Sequence, residues 1–255
     1  MPSASRRALV CRPLPPLPNV RPGDDLAGLI AAGAPEDLSY GDVLVVAHKV
    51  VSKAEGRVRR LVSIEPGERA RALAAEHDKD ARLVQAVLDE SAEVLRARDG
   101  VLICVTRHGL VCANAGVDLS NVSGDGELVL LPEDPDASAG RLRGGIELAR
   151  GVRPAVVISD SFGRAWRLGQ TDVAIGVAGL APLDAWHGRP DAYGRELRVT
   201  EIAIADAVAG AADLARAKDS REPVVLARGI ERYVTEADGP GAAALRRPRD
   251  RDLFR

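Results

Sequence analysis

Four short apolar runs constrain this chain more than any other feature: Val43–Ala47, Pro154–Ile158, Val173–Val177 and Val224–Ala227. Each is rich in β-branched residues, too short for a helix of ordinary length, and bounded by polar or turn-forming residues, so each reads as a strand. Further strands are expected at Val101–Val105 and Leu110–Ala113, around a His108-Gly109 turn, and at Glu127–Leu131. Helical patterns lie between them. Asp24-Asp25 can cap a short helix through Leu29 and Ile30. Ser63–Arg98 reads as helical, with Leu83, Val84, Val87, Leu88, Val94 and Leu95 on one stripe until Gly100 stops it. Ala139–Arg150 suits a helix that starts after Pro132–Ala139. Thr200–Ala217 is Ala-rich and apolar nearly all round, which predicts a helix packed inside the protein. The five prolines of Arg12–Pro22 exclude regular helix there. Glu55-Gly56 reads as a turn. Strands and helices mix without regular βαβ alternation, which predicts an α+β fold with mixed sheets and packed helices.

At 255 residues the chain can bury a core without a disulfide or metal staple. It reads as one module over residues 1–255, with a charged, frayed tail at 246–255. Cys11, Cys104 and Cys112 are odd in number and lack CxxC spacing, which points to reduced cysteines in a reducing compartment. The apolar stretch Ala8–Cys11 after Arg6-Arg7 is shorter than a secretory core segment. A cytoplasmic protein is therefore expected. With 37 acidic and 35 basic residues, the net charge of −2 argues against a bulk nucleic-acid partner. No apolar run approaches the roughly 20 residues of a membrane span.

The common phosphate-loop, dinucleotide, nucleophile-elbow and zinc-helix patterns are all missing from the sequence. His77 and His108 fall at a helix end and in a turn, where solvated side chains are expected. What remains is a set of polar groups behind strands. Asp160 follows Val156-Val157-Ile158, and Asp118 lies just past a strand between Gly116 and Asn121. Either alone is more often a turn cap. Together, two carboxylates on different strands can hold Mg²⁺ or Mn²⁺, which take oxygen ligands and share them with phosphates. Lys49 and Lys53 leave a strand four residues apart, Arg164 and Arg167 flank Ala165-Trp166, and Arg189 and Arg195 follow. Such cations beside paired carboxylates suit a metal–phosphate complex and an anionic acceptor. Asp134 and Asp136 read instead as helix capping.

Read in order, the runs GDVLVVAHKVVSKAEGR (41–57), ANAGVDLSN (113–121), LLPEDPDASA (130–139), SDSFGRAWRLGQTDVAIGVAG (159–179) and DAYGRELRVTEIAIAD (191–206) resemble the coenzyme F420 γ-glutamyl ligase family. The similarity covers about Pro15 to Gly229. It implies that family's fold as an intertwined two-fold homodimer. It also implies a GTP-dependent ligation of L-glutamate to the deazaflavin precursor coenzyme F420-0 through an acyl phosphate, with further γ-linked glutamates added to coenzyme F420-1. The implied cations are Mg²⁺ or Mn²⁺, two per subunit, with K⁺ as a further one. Carried over by position, Pro15, Pro16, Leu17 and Pro18 match the segment lying on the nucleotide. His48, Lys49, Lys53 and Asn121 match nucleotide contacts, as does Lys218 in the loop after the long helix. Asp118, Asp160 and Ser161 match metal ligands, and Lys53 and Arg164 are the catalytic candidates. The loop Arg216–Glu222 lacks the glycines usual in the family. That departure leaves open a silent deazaflavin- or nucleotide-binding protein, beside a ligase acting on a variant precursor.

Overall fold

The computed structural model describes residues 8–119 and 126–253. In chain order the elements are β1 (Val10–Pro13), α1 (Leu26–Gly33), β2 (Val43–Ala47), α2 (His48–Ala54), β3 (Val58–Arg60), α3 (Glu68–His77), α4 (Ala81–Asp89), β4 (Ser91–Arg98), β5 (Val101–Thr106), β6 (Val111–Ala113), β7 (Glu127–Val129), α5 (Pro135–Arg150), β8 (Ala155–Arg164), β9 (Arg167–Ala178), β10 (Leu183–Ala185), β11 (Glu201–Ala203), α6 (Ile204–Ala215) and β12 (Val224–Arg228). The chain is α+β, as its unalternating pattern predicts.

The four apolar runs assemble into one five-stranded sheet of order β1-β12-β2-β8-β9. Its β2–β8 pair is parallel and the other pairs are antiparallel. The runs are apolar on both sides because both faces are covered. Leu44, Val46, Val156, Ile158 and Ile175 pack with Ile30 of α1 and Leu142 and Ile146 of α5. Val43, Val45, Val157, Val177 and Val225 pack on the other face with Ala205, Val208, Ala209 and Ala212 of α6. Helices α1 and α5 touch through Gly145, where a Cβ would stand 2.5 Å from that of Ala27. Asp25 accepts from the Gly28 N–H and Asp134 from that of Ala137, whereas Asp136, also expected to cap, accepts instead from the Val177 and Ala242 N–H groups. Each cap contributes about 1 kcal/mol.

A second core surrounds α3, α4, the antiparallel β4-β5-β6 sheet and the β3–β7 ladder. The single helical stretch expected from Ser63 to Arg98 is resolved differently. Asp78, left-handed at φ 51, ends α3, Asp80 caps α4, and Ser91–Arg98 is a strand. Register shifts at Ser91/Glu93 and Val94/Arg96 break strict alternation in β4. Val94 and Leu95 are both half-buried, as they would be on a helical stripe.

Two other expectations are corrected. The helix expected over Thr200–Ala217 begins at Ile204 and buries one face only, Leu214 being 91% exposed. The strand expected at Val173–Val177 is part of a hairpin in which β8 and β9 both run well past the core, to a tip at Ala165-Trp166. In the last segment, Arg249 lies 3.3 Å from Glu93.

Candidate functional site

Strand registers bring distant segments to one edge of the central sheet. Ala47, at the end of β2, pairs with Ser159 on β8, while Val46 pairs with Val224 at the start of β12. Leu14 donates to the Val224 carbonyl as the chain leaves β1. The Pro15–Pro18 segment, His48-Lys49, Asp160-Ser161 and the loop from Arg216 to Pro223 therefore meet there. A cleft of about 420 Å³ at this edge is lined by Arg12, Leu14, Pro15, Gly33, Pro35 and Glu222.

Helix α2 starts without a loop, so its first two residues project at the strand end. His48 is buried. Its Nε2 lies 3.2 Å from Asp160 Oδ1, and its Nδ1 lies 3.4 Å from Ser52 Oγ one turn on. A Ser–His–Asp line is thus present although the sequence shows no such constellation. Ser52 is 0% exposed. With no access to a substrate it is no nucleophile, and Asp160 itself accepts a hydrogen bond from the Ser161 N–H at 2.8 Å. Lys49 Nζ lies 2.7 Å from Asp118 Oδ2. Asp118 is held in turn by a two-bond backbone bridge to Val129 on β7. The two carboxylates thus face neighbouring residues of one helical turn. Asp160 is 14% and Asp118 36% exposed at the side chain. Asp160 stands inside β8, which continues to Arg164, rather than in a loop.

The opposite side of β8 is organised differently. Strand alternation sends Asp160 toward α2 and Ser159 and Ser161 toward the end of α6. There Asp172, on β9 opposite Ser161, is buried and accepts from Ser159 Oγ at 2.8 Å and from Ser161 Oγ at 2.6 Å. The Arg216 guanidinium closes on the same carboxylate and also bonds the Pro223 carbonyl at 3.1 Å. Lys218 Nζ donates to Ser161 Oγ at 2.8 Å and lies 3.1 Å from Asp213. The glycine-poor loop is thus tethered to the strand by its own cations. Asp172 and Arg216 are the site residues that sequence reasoning misses. The available signal is a charged residue at an inward position of an apolar strand.

Burial, then the charge on Lys49, pushes the Lys53 ammonium below its ordinary lysine value, with Glu127 opposing. Arg164 stands apart from these groups. It is at the hairpin tip, four residues beyond Asp160, and its guanidinium donates to the carbonyls of Leu168 and Gly169. Arg189 pairs with Asp184 at 3.1 Å and lies over the Trp186 ring. His108 is not simply solvated: its Nε2 donates to the Pro132 carbonyl at 2.8 Å. The His77 side chain is also largely buried. Asn121 lies outside the described residues. Burial first, and then the Asp160 charge, pushes the Cys112 thiol up to about 12, so it is protonated and unreactive near neutral pH.

Among the described residues no three His, Cys, Asp or Glu side chains gather at one point. Asp118 and Asp160 supply the hard oxygen donors that Mg²⁺ or Mn²⁺ prefers. Phosphate oxygens and water would fill the remaining positions, which is the common way such ions are held. The donor chemistry fits the group on that footing. Ser161 faces the other side of the strand from Asp160, and its Oγ bonds Asp172 and Lys218.

Fold and site together define an α+β protein with a cation- and carboxylate-lined sheet edge. The family model described as F420-0:Gamma-glutamyl ligase matches residues 16–229. The chain is 44% identical over 243 residues to the Coenzyme F420:L-glutamate ligase of Methanothermobacter thermautotrophicus, covering 94% of this chain and 96% of the relative. It is 44% identical over 245 residues to the protein of that name from Methanopyrus kandleri, covering 95% and 96%. Identity to that of Archaeoglobus fulgidus is 46% over 219 residues, 86% of each chain. The chain belongs to the F420-0:gamma-glutamyl ligase family.

Proposed function

We propose that this protein is a GTP- and divalent-metal-dependent ligase that joins L-glutamate to coenzyme F420-0, and extends the product by γ-linked glutamates, as a cytoplasmic homodimer. The observation that carries the reading is the pairing of Asp160 with His48 and of Asp118 with Lys49 at one sheet edge, on segments inside the family match. An amide forms from a carboxylate only after activation. The γ-phosphoryl group of GTP passes to the precursor carboxylate, leaving GDP. The glutamate amine then attacks the acyl carbon and phosphate departs. A bound Mg²⁺ or Mn²⁺ supplies charge neutralisation across the phosphates.

The protein's own groups do the rest. Asp118 and Asp160 would hold the metal, with Asp160 accepting from the Ser161 N–H and standing beside His48. Lys49 and Lys53 place positive charge beside the transferring phosphoryl group. Pro15–Pro18 and the cleft beside it would cover the nucleotide. Lys218, held at Ser161, adds a cation from the opposite side. Arg164 takes part only if the hairpin tip folds toward the edge or reaches a second subunit. Trp166 and Leu168 on that tip are 85% and 96% exposed, which supports burial against a partner copy.

The test is to incubate purified protein with GTP, Mn²⁺, L-glutamate and coenzyme F420-0 and weigh the products. A mass gain of one or more glutamyl residues, with GDP release requiring both precursor and glutamate, is the expected result. GDP release independent of glutamate, with no mass gain, would leave a binding protein. A sedimentation mass twice the 26.9 kDa of the chain is expected for the homodimer.

A further inference from the structure

A cavity of about 280 Å³ lies on Asp160's side of the sheet, between the β5–β6 turn, the start of α5 and the C-terminal segment. Arg107, His108, Leu110, Ile175 and Arg246 are among the residues that line it. Two features locate it. On β9, Val173 is the partner of Asp160, and Ile175 is two residues farther along the same buried face. The β5–β6 hairpin, which carries Leu110 and Cys112, packs on β8 through β6. The cavity therefore lies on the same face of the sheet as Asp160.

Its lining carries two guanidinium groups and three carboxylates. Among the described residues, neither the Arg107 nor the Arg246 guanidinium has an acidic partner, and Arg246 lies over the turn at Gly109, Nη1 standing 3.7 Å from where a Cβ would be. The acidic side chains on the lining are already engaged. Asp134 caps α5, Asp136 accepts from the Val177 and Ala242 N–H groups, and Glu133 faces Arg57 at 3.7 Å. His108 uses Nε2 on the Pro132 carbonyl, which leaves its Nδ1 buried without a protein partner.

We propose that this cavity is a carboxylate subsite of the ligation, in which Arg107 and Arg246 hold a carboxylate. The inference rests on the ligase reading and assigns the acceptor side of that site. Two substrates carry carboxylates, the free amino acid and the precursor tail, and the experiment separates them.

Steady-state KM values for L-glutamate, coenzyme F420-0 and GTP would be measured in the parent protein and in Arg107→Gln and Arg246→Gln, with thermal melts to establish folding. A rise of roughly tenfold or more in KM for one acid is expected, with KM for GTP within about twofold. The acid that responds is the occupant. Unchanged KM values for both acids in folded variants would overturn the subsite. If the parent protein ligates nothing, the ligase reading fails separately, and calorimetric titration with glutarate decides the subsite. Binding that is lost in the double variant upholds it, and absent or unaltered binding overturns it.

Discussion

The two faces of β8 carry carboxylates of opposite kinds. On the α6 side, Asp172 is buried and saturated, held by Ser159, Ser161 and Arg216. On the α2 side, Asp160 and Asp118 are partly open and face His48 and Lys49 of α2. A saturated carboxylate has no capacity left for a ligand, so its work is to fix the backbone and the loop after α6. A partly open one can exchange its protein partner for a metal ion. The direction in which these carboxylates point thus separates an enclosed one from two that are partly open.

The largest effect should come from breaking the saturated side. Arg216→Ala leaves a buried charge unpaired and should cost about 3–5 kcal/mol in denaturant unfolding. A loss within experimental error would show that Asp172 is not held by the guanidinium and would erase the contrast.

On the open side the effect should be on chemistry. Asp160→Asn or Asp118→Asn should lower ligation roughly 10²–10³-fold, as loss of transition-state charge stabilisation does. The melting temperature without metal should stay near the parent value. Near-normal ligation at low Mn²⁺ in both variants would make these carboxylates structural as well.

Lys53→Ala should weaken GTP binding ten- to a hundredfold, from losing about 1.5–3 kcal/mol of charge-assisted contact. The folded-state pKa of Lys53 is depressed by burial and by Lys49, so its proton leaves at lower pH than that of an ordinary lysine. GTP affinity should therefore begin to fall earlier on the alkaline side, and Lys53→Arg should move that limb upward. The linked stability term has the opposite sign. The folded chain holds this proton less tightly than the unfolded chain, so stability rises with pH between the two pKa values.

The smallest effect serves as a control. Asp25→Ala removes an exposed cap on α1 and should cost about 1 kcal/mol with ligation retained. Together these variants distinguish capping, saturated and open carboxylates by stability and activity measured side by side.

Much of this was legible in the chain. The four apolar runs had to be covered on both faces, and Gly109, Asp25 and Asp134 sit where turn and cap chemistry places them. Long ordered runs of residues carried the family. Legibility failed where two local signals overlapped. The bulges in β4 imitate a helical stripe, and α6 carries enough alanine that its exposed face reads as buried.

Local chemistry, then, determined the strands, the caps, the α+β class and the family, because each depends on residues close in sequence. Registers and faces were decided only by the fold. Whether Asp160 looks toward His48 or toward Arg216 depends on strand parity, set by the pairing of Ala47 with Ser159 across more than a hundred residues. The burial of Asp172, and the meeting of Asp118 with Lys49, likewise arise from contacts between segments that share no local pattern. A sequence supplies the polar groups, and long-range packing decides which are enclosed and which stay available to a ligand.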